Sequence, residues 1–327
     1  MEGLFFRGRP IGSQRTPGSR RHIWEGRKGF SMLLQQIING FVIGAIYSVV
    51  GVGFTLIFGI MRILNFAYGE FYMLASYAAF VAYSEFHLPL WLILLLTMTL
   101  LFAIGALTER GLVKPVRERT ADWSVPVIMV TLGLQIVLQN VVLLVAGGTY
   151  RGVSAYLMGT LDLEWFVISY ERLMILGVSA GLLLGTWLLI QKTKLGLAML
   201  AVSQNREGAV LSGIPLQRVY TLSFGLSAAL VAIPGVLLMP LLYVYPTVGQ
   251  VPIMKAFAVT LLGGMGNIEG AILGGIILGV SETMASAYLS SLIKDGVAFA
   301  FMILILLFYP AGIGPYFQQI RQKVIRP

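Results

Sequence analysis

The sequence contains no cysteine and only two histidines, and charged residues account for just 11% of its 327 residues. Without cysteine the chain has no disulfide framework, no thiolate metal site and no cysteine nucleophile. His22 lies in a basic N-terminal stretch and His87 in a short turn, so there is no histidine cluster for zinc or haem. These absences argue against a disulfide-stabilised fold and against an intramembrane metalloenzyme.

A phosphate-binding loop is also missing. The dipeptide Gly-Lys does not occur anywhere in the chain. The Gly-x-x-x-x-Gly-Lys-Ser/Thr pattern that cradles nucleotide phosphates is therefore absent. We predict that the chain is not an enzyme and that it binds no cofactor itself. If ATP drives its activity, a separate polypeptide hydrolyses the ATP.

Hydrophobic residues, in contrast, are abundant. They make up 57% of the chain, the mean hydropathy is +0.84, and apolar runs of about twenty residues recur between Ser31 and Pro310. A transmembrane β-barrel would instead show shorter segments of alternating polarity. The sequence predicts an all-α, polytopic membrane protein with about eight or nine transmembrane helices, some broken or re-entrant, in two loosely repeated halves.

The net charge is +9. In a soluble protein such an excess would suggest a nucleic-acid partner. Here the basic residues cluster beside apolar spans, where positive-inside topology and contact with anionic lipid explain them. We therefore predict contact with membrane lipid and no nucleic-acid partner.

Charge and hydropathy together divide the chain into three regions. Residues 1–31 form a basic leader that we expect to be disordered, residues 32–314 form the transmembrane domain, and residues 315–327 form a basic tail. The predicted spans lie at about 33–58, 66–84, 88–107, 125–146, 172–190, 219–239, from Lys255 to Tyr288 in two pieces, and 297–309.

The loops indicate which side of the membrane each end occupies. Loops 109–123 and 191–218 and the tail are rich in Lys and Arg, which predicts that they and the C-terminus are cytoplasmic. Three spans before loop 109–123 would then place the basic N-terminus outside. Either one early segment does not cross, or the leader is absent from the working protein and translation starts at Met32.

Five polar residues fall at the predicted membrane depth. Arg62, Asn65 and Glu70 lie in a glycine-interrupted passage that we interpret as a break between helices, and Lys255 and Glu282 lie in later spans. Irregular backbone and charge are tolerated in hydrocarbon only where they face protein or a water-filled path. Each of these residues is therefore a candidate for lining a pathway or contacting a solute. The alternatives are structural roles, or helix-end positions at the membrane surface for Arg62 and Glu70.

The second basic loop contains a predicted amphipathic helix. Leu197–Leu211 combines spaced apolar residues with a polar cluster, and Gly196 and Gly213 bracket it. The polar cluster consists of Gln204, Asn205, Arg206 and Glu207. Such a helix can lie along the membrane or dock into a partner protein.

Glycines in the last third of the chain recur four residues apart. Gly266, Gly270 and Gly274 form one series, and Gly275 and Gly279 form another. This small-xxx-small pattern allows membrane helices to approach closely. We predict that these glycines serve helix packing and do not bind a ligand.

Several local motifs resemble one family, the membrane permeases of ABC importers for branched-chain amino acids that pair with a second, homologous permease. Arg62-Ile-Leu-Asn-Phe-Ala-Tyr-Gly-Glu70 is similar to the family's VNFAHGE signature, with Tyr68 in place of histidine. The other similar motifs are Gln204-Asn-Arg-Glu-Gly-Ala209 leading to Gly213-Ile214, Lys255-Ala-Phe257, Leu262-Gly-Gly-Met-Gly-Asn-Ile-Glu-Gly-Ala271, and Tyr288-Leu-Ser-Ser with Lys294-Asp295. The resemblance extends from Leu33 to about Gly314.

The resemblance implies a permease subunit in the cytoplasmic (inner) membrane of a bacterium or archaeon. Its partners would be a homologous second permease, two ATPase subunits that use ATP, and a periplasmic or lipid-anchored solute-binding protein. Loop 192–218 would hold the coupling helix that docks on an ATPase, through Gln204, Asn205, Arg206, Glu207 and Gly213. The solute would be Leu, Ile or Val.

Two alternatives remain open from the sequence. Homologous permeases also import urea, short amides or other amino acids. A different class, an autonomous channel or ion-coupled carrier, also uses broken helices and midplane charges. A carrier of that kind has no need of a docking helix between two spans.

Overall fold

A computed structural model describes residues 18–120, 122–163, 166–289, 294–309 and 312–314. Most of the predicted leader, residues 1–17, and the predicted tail lie outside the described residues. Within them the secondary structure consists of helices α1 Gly18–Met61, α2 Tyr68–Ser84, α3 Leu90–Thr108, α4 Lys114–Arg119, α5 Ser124–Ala146, α6 Tyr170–Lys192, α7 Lys194–Gln204, α8 Arg206–Leu211, α9 Leu216–Leu237, α10 Gln250–Gly263, α11 Ile268–Tyr288 and α12 Lys294–Phe308, a π-helical turn Glu109–Val113, and strands β1 Thr160–Leu163 and β2 Phe166–Ser169.

The all-α, polytopic fold class is confirmed. The exception is a small antiparallel hairpin of β1 and β2, in which Thr160 pairs with Ser169 and Leu163 with Phe166. The hairpin lies in the connection between α5 and α6, which is predicted to be outside the membrane. Extended backbone is possible there because water satisfies the edges of a two-stranded ribbon.

Among the described residues, six helical segments are long and apolar enough to span a membrane. They cover residues 32–61, 90–119, 124–146, 170–192, 216–237 and 268–288. Helix α10 has 14 residues and is therefore only about 21 Å long, which is less than the roughly 30 Å of the hydrocarbon core. The predicted count of eight or nine crossings is not confirmed.

Two sequence predictions are wrong about where helices end. Helix α1 begins at Gly18, so residues 18–31 of the leader are helical and not disordered. Pro17 is the last proline before the span, and downstream of it nothing prevents the apolar segment from extending its helix upstream. Loop 109–123 is helical as far as Arg119, because the π-helical turn continues α3 directly into α4.

Helices α1 and α9 form the centre of the molecule. Their spans are largely buried inside the chain, whereas only about a fifth of each of the α3, α5 and α6 spans is buried. Large aromatic residues, including Tyr68, Tyr72 and Phe224, fill the space around these central helices. The exposed faces of the outer helices are available to lipid or to a partner.

Glycines bring α1 and α11 into backbone contact. A β-carbon at Gly279 would overlap the backbone of Gly44, and one at Gly275 would overlap the backbone of Ser48. Close approach of this kind provides the van der Waals contact on which helix association in lipid depends. The predicted packing role is confirmed for Gly275 and Gly279.

The α1–α11 contact makes a direct prediction. Gly279→Ala places a methyl group against the backbone of Gly44 and should destabilise the protein by about 1–3 kcal/mol. Gly177→Ala on α6 is the matched control, because no atom lies within 4 Å of a β-carbon there, and alanine favours a helix over glycine by up to about 1 kcal/mol. Thermal unfolding of both variants in detergent tests this. Equal stability of the two variants would contradict the close contact.

Candidate functional site

The break between α1 and α2 is fully organised by local hydrogen bonds. Asn65 Oδ1 accepts from the Ala67 N–H at 3.1 Å, and the Phe66 N–H donates to Thr131 Oγ1 on α5 at 3.3 Å. Arg62 has φ of 55°, which turns the chain out of α1. These contacts satisfy backbone groups that hydrocarbon would leave unpaired. The predicted break is thus confirmed.

Tyr68, which replaces the histidine of the family signature, holds α2 against α1. Its side chain is fully buried, and its hydroxyl donates to the Val50 carbonyl at 2.8 Å. Its ring meets Phe54 edge to face, with 5.5 Å between centroids. The substitution therefore adds an anchor between the two helices that flank the break.

Asn65 opens onto a cavity that we call the apolar pocket. Asn65 is 1% exposed, and its Nδ2 has no hydrogen-bond partner among the described residues. The cavity has a volume of about 440 Å³ and is lined by Phe54, Leu64, Asn65, Phe66, Gln135, Gln250, Ile253, Met254 and Phe257. It offers an apolar surface with three side-chain amides.

A second cavity, the outer pocket, lies further along α5. It has a volume of about 280 Å³ and is lined by Gln139, Asn140, Leu143, Gly148, Tyr150, Tyr245, Pro246 and Thr247. Gln135 and Gln139 are four residues apart and so lie on one face of α5. This face, with Gln135 and Gln139, forms an amide stripe that runs from the apolar pocket to the outer pocket.

Arg62 lies in a different place. It lines a polar cavity of about 400 Å³ together with Trp123, Tyr220 and residues 202–207. The structure thus places Arg62 beside the polar cluster of loop 192–218 and separates it from Asn65, three residues later. The sequence suggests that Arg62 and Asn65 lie together because they are only three residues apart. The turn after α1 instead places them on different cavities.

Loop 192–218 contains two helices and not the single predicted helix 197–211. Asn205 interrupts them, and its Oδ1 accepts from the Gly208 N–H at 2.9 Å to cap α8. Asn favours this position because its side chain replaces the missing helical acceptor. Gly213 has φ of 75°, which fits its predicted position just after a helix. Gln204, Asn205, Arg206 and Glu207 are all exposed.

Lys255 and Glu282 form a buried ion pair. Both residues are 4% exposed, and Tyr47 donates to Glu282 Oε2 at 2.7 Å. The contact joins α1, α10 and α11. Neither charged residue lines the apolar pocket or the outer pocket, so their geometry favours the structural alternative.

Glu70 lies in the first turn of α2. It is 1% exposed, and its Oε2 has no hydrogen-bond partner among the described residues. The helix N-terminus favours a carboxylate there. Glu70 lines neither of the two pockets, and its predicted role in a pathway stays a prediction.

A buried polar network near the end of α3 is absent from the sequence predictions. Glu109 is fully buried, and its carboxylate accepts from Arg117 at 2.9 Å, from Gln217 at 2.9 Å and from Thr221 at 2.7 Å. The sequence placed Glu109 in an exposed loop because it follows directly on an apolar run. Gln217 and Thr221 are four residues apart and so lie on one face of α9. This spacing is the sequence feature that could have indicated a polar contact there.

The Lys255–Glu282 pair makes the second prediction. Glu282→Gln leaves the Lys255 ammonium buried without a counter-charge, which should destabilise the protein by about 3–5 kcal/mol. The double variant Lys255→Met with Glu282→Gln removes both charges, keeps an acceptor for Tyr47 and should recover most of the loss. Thermal unfolding in detergent measures the difference. A single variant as stable as the double variant would contradict a structural role for the pair.

Comparison with known proteins identifies the family. Residues 36–306 match the family described as branched-chain amino acid transport system / permease component. The chain is 34% identical over 294 residues to the high-affinity branched-chain amino acid transport system permease protein BraD of Pseudomonas aeruginosa, covering 86% of this chain and 95% of BraD. It is 34% identical over 302 residues to LivH of Escherichia coli, covering 87% and 96%.

A more distant relative comes from an archaeon. The probable branched-chain amino acid transport permease protein LivH of Methanocaldococcus jannaschii is 29% identical over 302 residues, covering 85% of this chain and 92% of the relative. The chain belongs to the family of branched-chain amino acid ABC transport permeases. The resemblance seen in the sequence motifs is confirmed.

Proposed function

We propose that this chain is the permease subunit of an ABC importer that moves Leu, Ile or Val inward across the cytoplasmic membrane of a bacterium or archaeon. The observation that carries the proposal is the family match over residues 36–306. The chain provides the passage and hydrolyses no nucleotide. We expect the C-terminus to lie on the cytoplasmic side of the membrane.

The apolar pocket and the outer pocket are the proposed passage. A branched-chain amino acid is an apolar side chain on a zwitterionic backbone, so its site needs apolar walls and a few neutral hydrogen-bonding groups. Phe54, Ile253 and Met254 supply the walls of the apolar pocket. The Asn65 Nδ2 group, which has no partner among the described residues, and Gln135 supply hydrogen bonds without a net charge that would hold the zwitterion too tightly.

The amide stripe also supports a second permease as partner. Gln135 lies near the middle of α5, a helix whose surface is mostly exposed in the single chain. Polar side chains at that depth face protein or a water-filled cavity and not lipid. We propose that the homologous permease covers this face of α5, so that the two chains enclose the passage.

The ATPase partner docks on loop 192–218 in this proposal. The polar residues Gln204–Glu207 are exposed, and the neighbouring side chains of Val210 and Leu211 are 52% and 90% exposed. An apolar contact next to polar and charged groups is typical of a protein interface. The ATPase pair uses ATP, and a solute-binding protein delivers the amino acid from the outer side.

Reconstitution tests the proposed function. The complex, purified through a tag on this chain, is placed in liposomes, and leucine uptake is measured with and without ATP and the soluble binding protein. We expect uptake to require both. Uptake by this chain alone, driven by an ion or solute gradient, would contradict the importer and establish a carrier or channel.

Docking through the polar cluster makes the third prediction. Asn205→Ala with Arg206→Ala removes the cap of α8 and an exposed charge, while the membrane helices keep their contacts. We expect assembly to persist and ATP hydrolysis to become uncoupled from uptake, since the coupling free energy between the two sites is lost. The ratio of leucine transported to ATP hydrolysed measures this. Normal uptake by the double variant would refute the docking assignment.

The amide stripe makes the fourth prediction. Gln135→Leu keeps the side-chain size and removes one hydrogen-bonding group from the apolar pocket, which should lower leucine uptake by about two- to tenfold. Ile136→Leu is the control, because Ile136 is the adjacent residue and is 61% exposed. Uptake is compared at equal amounts of assembled complex. Unchanged uptake in Gln135→Leu would contradict a passage along this face.

A further inference from the structure

Arg206 in the polar cluster of loop 192–218 contacts two aromatic rings of the membrane domain, those of Trp123 and Tyr220. The Arg206 guanidinium carbon lies 6.0 Å from the centre of the Tyr220 ring and 5.8 Å from the centre of the Trp123 ring. Tyr220 is in the second turn of α9 and is 2% exposed. Cations attract the faces of aromatic rings at these distances. The exposed arginine is therefore linked to a buried residue of the central helix.

A second arginine contacts the same ring from inside the protein. The Arg117 guanidinium carbon lies 4.4 Å from the Tyr220 ring centre. Arg117 also donates to the buried carboxylate of Glu109 at 2.9 Å and to Gln217 on α9. Tyr220 thus lies between an exposed guanidinium on loop 192–218 and a buried one that is fixed to the end of α3.

The contacts of Arg117 and Arg206 with Tyr220 differ in how easily they can rearrange. Glu109, Arg117 and Thr221 form a fully satisfied buried network, and such networks have few alternative arrangements. Arg206 is exposed, so its contact with Tyr220 is the weaker one. Movement of α8 can therefore alter the Arg206–Tyr220 contact while the buried network of Glu109, Arg117 and Thr221 stays intact.

Helix α9 extends this connection to the passage. Two turns beyond Tyr220, Ser227 Oγ donates to the Gly53 carbonyl of α1 at 2.6 Å. The next residue, Phe54, lines the apolar pocket. A continuous series of contacts runs from loop 192–218 through α9 to the wall of that pocket.

We propose that Tyr220 is a positioning residue that transmits movement of loop 192–218 to α9 and α3, through its contact with Arg206 on one side and with the Arg117–Glu109 pair on the other. The proposal rests on the proposed function of the chain as an importer permease. It assigns to this network the mechanical link between the ATPase docking site and the passage.

The test measures leucine transported per ATP hydrolysed in the reconstituted complex. Tyr220→Leu removes the ring that both guanidinium groups contact, and we expect the ratio to fall about fivefold or more while ATP hydrolysis continues. Tyr220→Phe keeps the ring and removes only the hydroxyl, which also hydrogen-bonds with Arg206, so its ratio should lie between those of Tyr220→Leu and the unmodified complex. A purely structural defect would lower uptake and hydrolysis together. A ratio in Tyr220→Leu equal to that of the unmodified complex would overturn the proposal.

If Tyr220→Leu fails to assemble, a second variant tests the positioning role of this network. Glu109→Gln with Arg117→Met removes the buried pair without leaving a lone charge, and the ratio should again fall. Arg119→Met is the matched control, because Arg119 is an exposed arginine two residues further along α4, and its ratio should not change. Equal ratios for the double variant and the control would overturn the proposal.

The two hypotheses fail in different ways. If the unmodified complex shows no ATP-dependent leucine uptake, the proposed function is wrong. If the unmodified complex transports leucine and the Tyr220 and Glu109 variants keep its ratio, only the positioning role is wrong.

Discussion

The fold depends on one constraint: in hydrocarbon every backbone polar group must find a partner within the protein. This chain interrupts its apolar helices at two places and meets the constraint at both. Asn65 accepts from the Ala67 N–H before α2, and Asn267 accepts from the Gly270 N–H at the start of α11. Gly59 and Gly266 let the end of α1 approach the second break closely. The broken helices are thus stabilised by each other.

The same constraint separates the polar side chains into two kinds. Two buried ion pairs, Lys255–Glu282 and Arg117–Glu109, join helices. Neutral amides line the cavities along α5. Because an apolar zwitterion needs hydrogen bonds more than a fixed charge, this division is the one expected of a permease for branched-chain amino acids.

The sequence predicted the features that depend on local pattern. Apolar runs located the six long helices of the described residues, glycine spacing predicted the close packing at Gly275 and Gly279, and bunched polar residues located the exposed segment 204–207. The family itself followed from short motifs. These features are local because each is determined by residues within one or two helical turns.

Features that depend on tertiary contact were not predictable. Glu109 follows an apolar run and lies in the π-helical turn, and only the fold brings Gln217 and Thr221 to it. From the sequence, Lys255 and Glu282 are pathway candidates, because only the packing of α10 against α11 brings the two side chains together. Gln135 passed unnoticed because a mean hydropathy does not show which face of α5 a single amide occupies.

The absence of native cysteine offers a direct measurement of the central claim, that the amide stripe of α5 faces a water-filled passage. Single-cysteine variants Gln135→Cys, Gln139→Cys and Ile136→Cys, each in the assembled complex, are labelled with a membrane-impermeant thiol reagent, which reacts with the thiolate and so needs water at the site. We expect the reagent to label Gln135→Cys and Gln139→Cys, to label both more slowly when leucine is present, and not to label Ile136→Cys. Labelling of Ile136→Cys alone, or equal protection of all three, would contradict it.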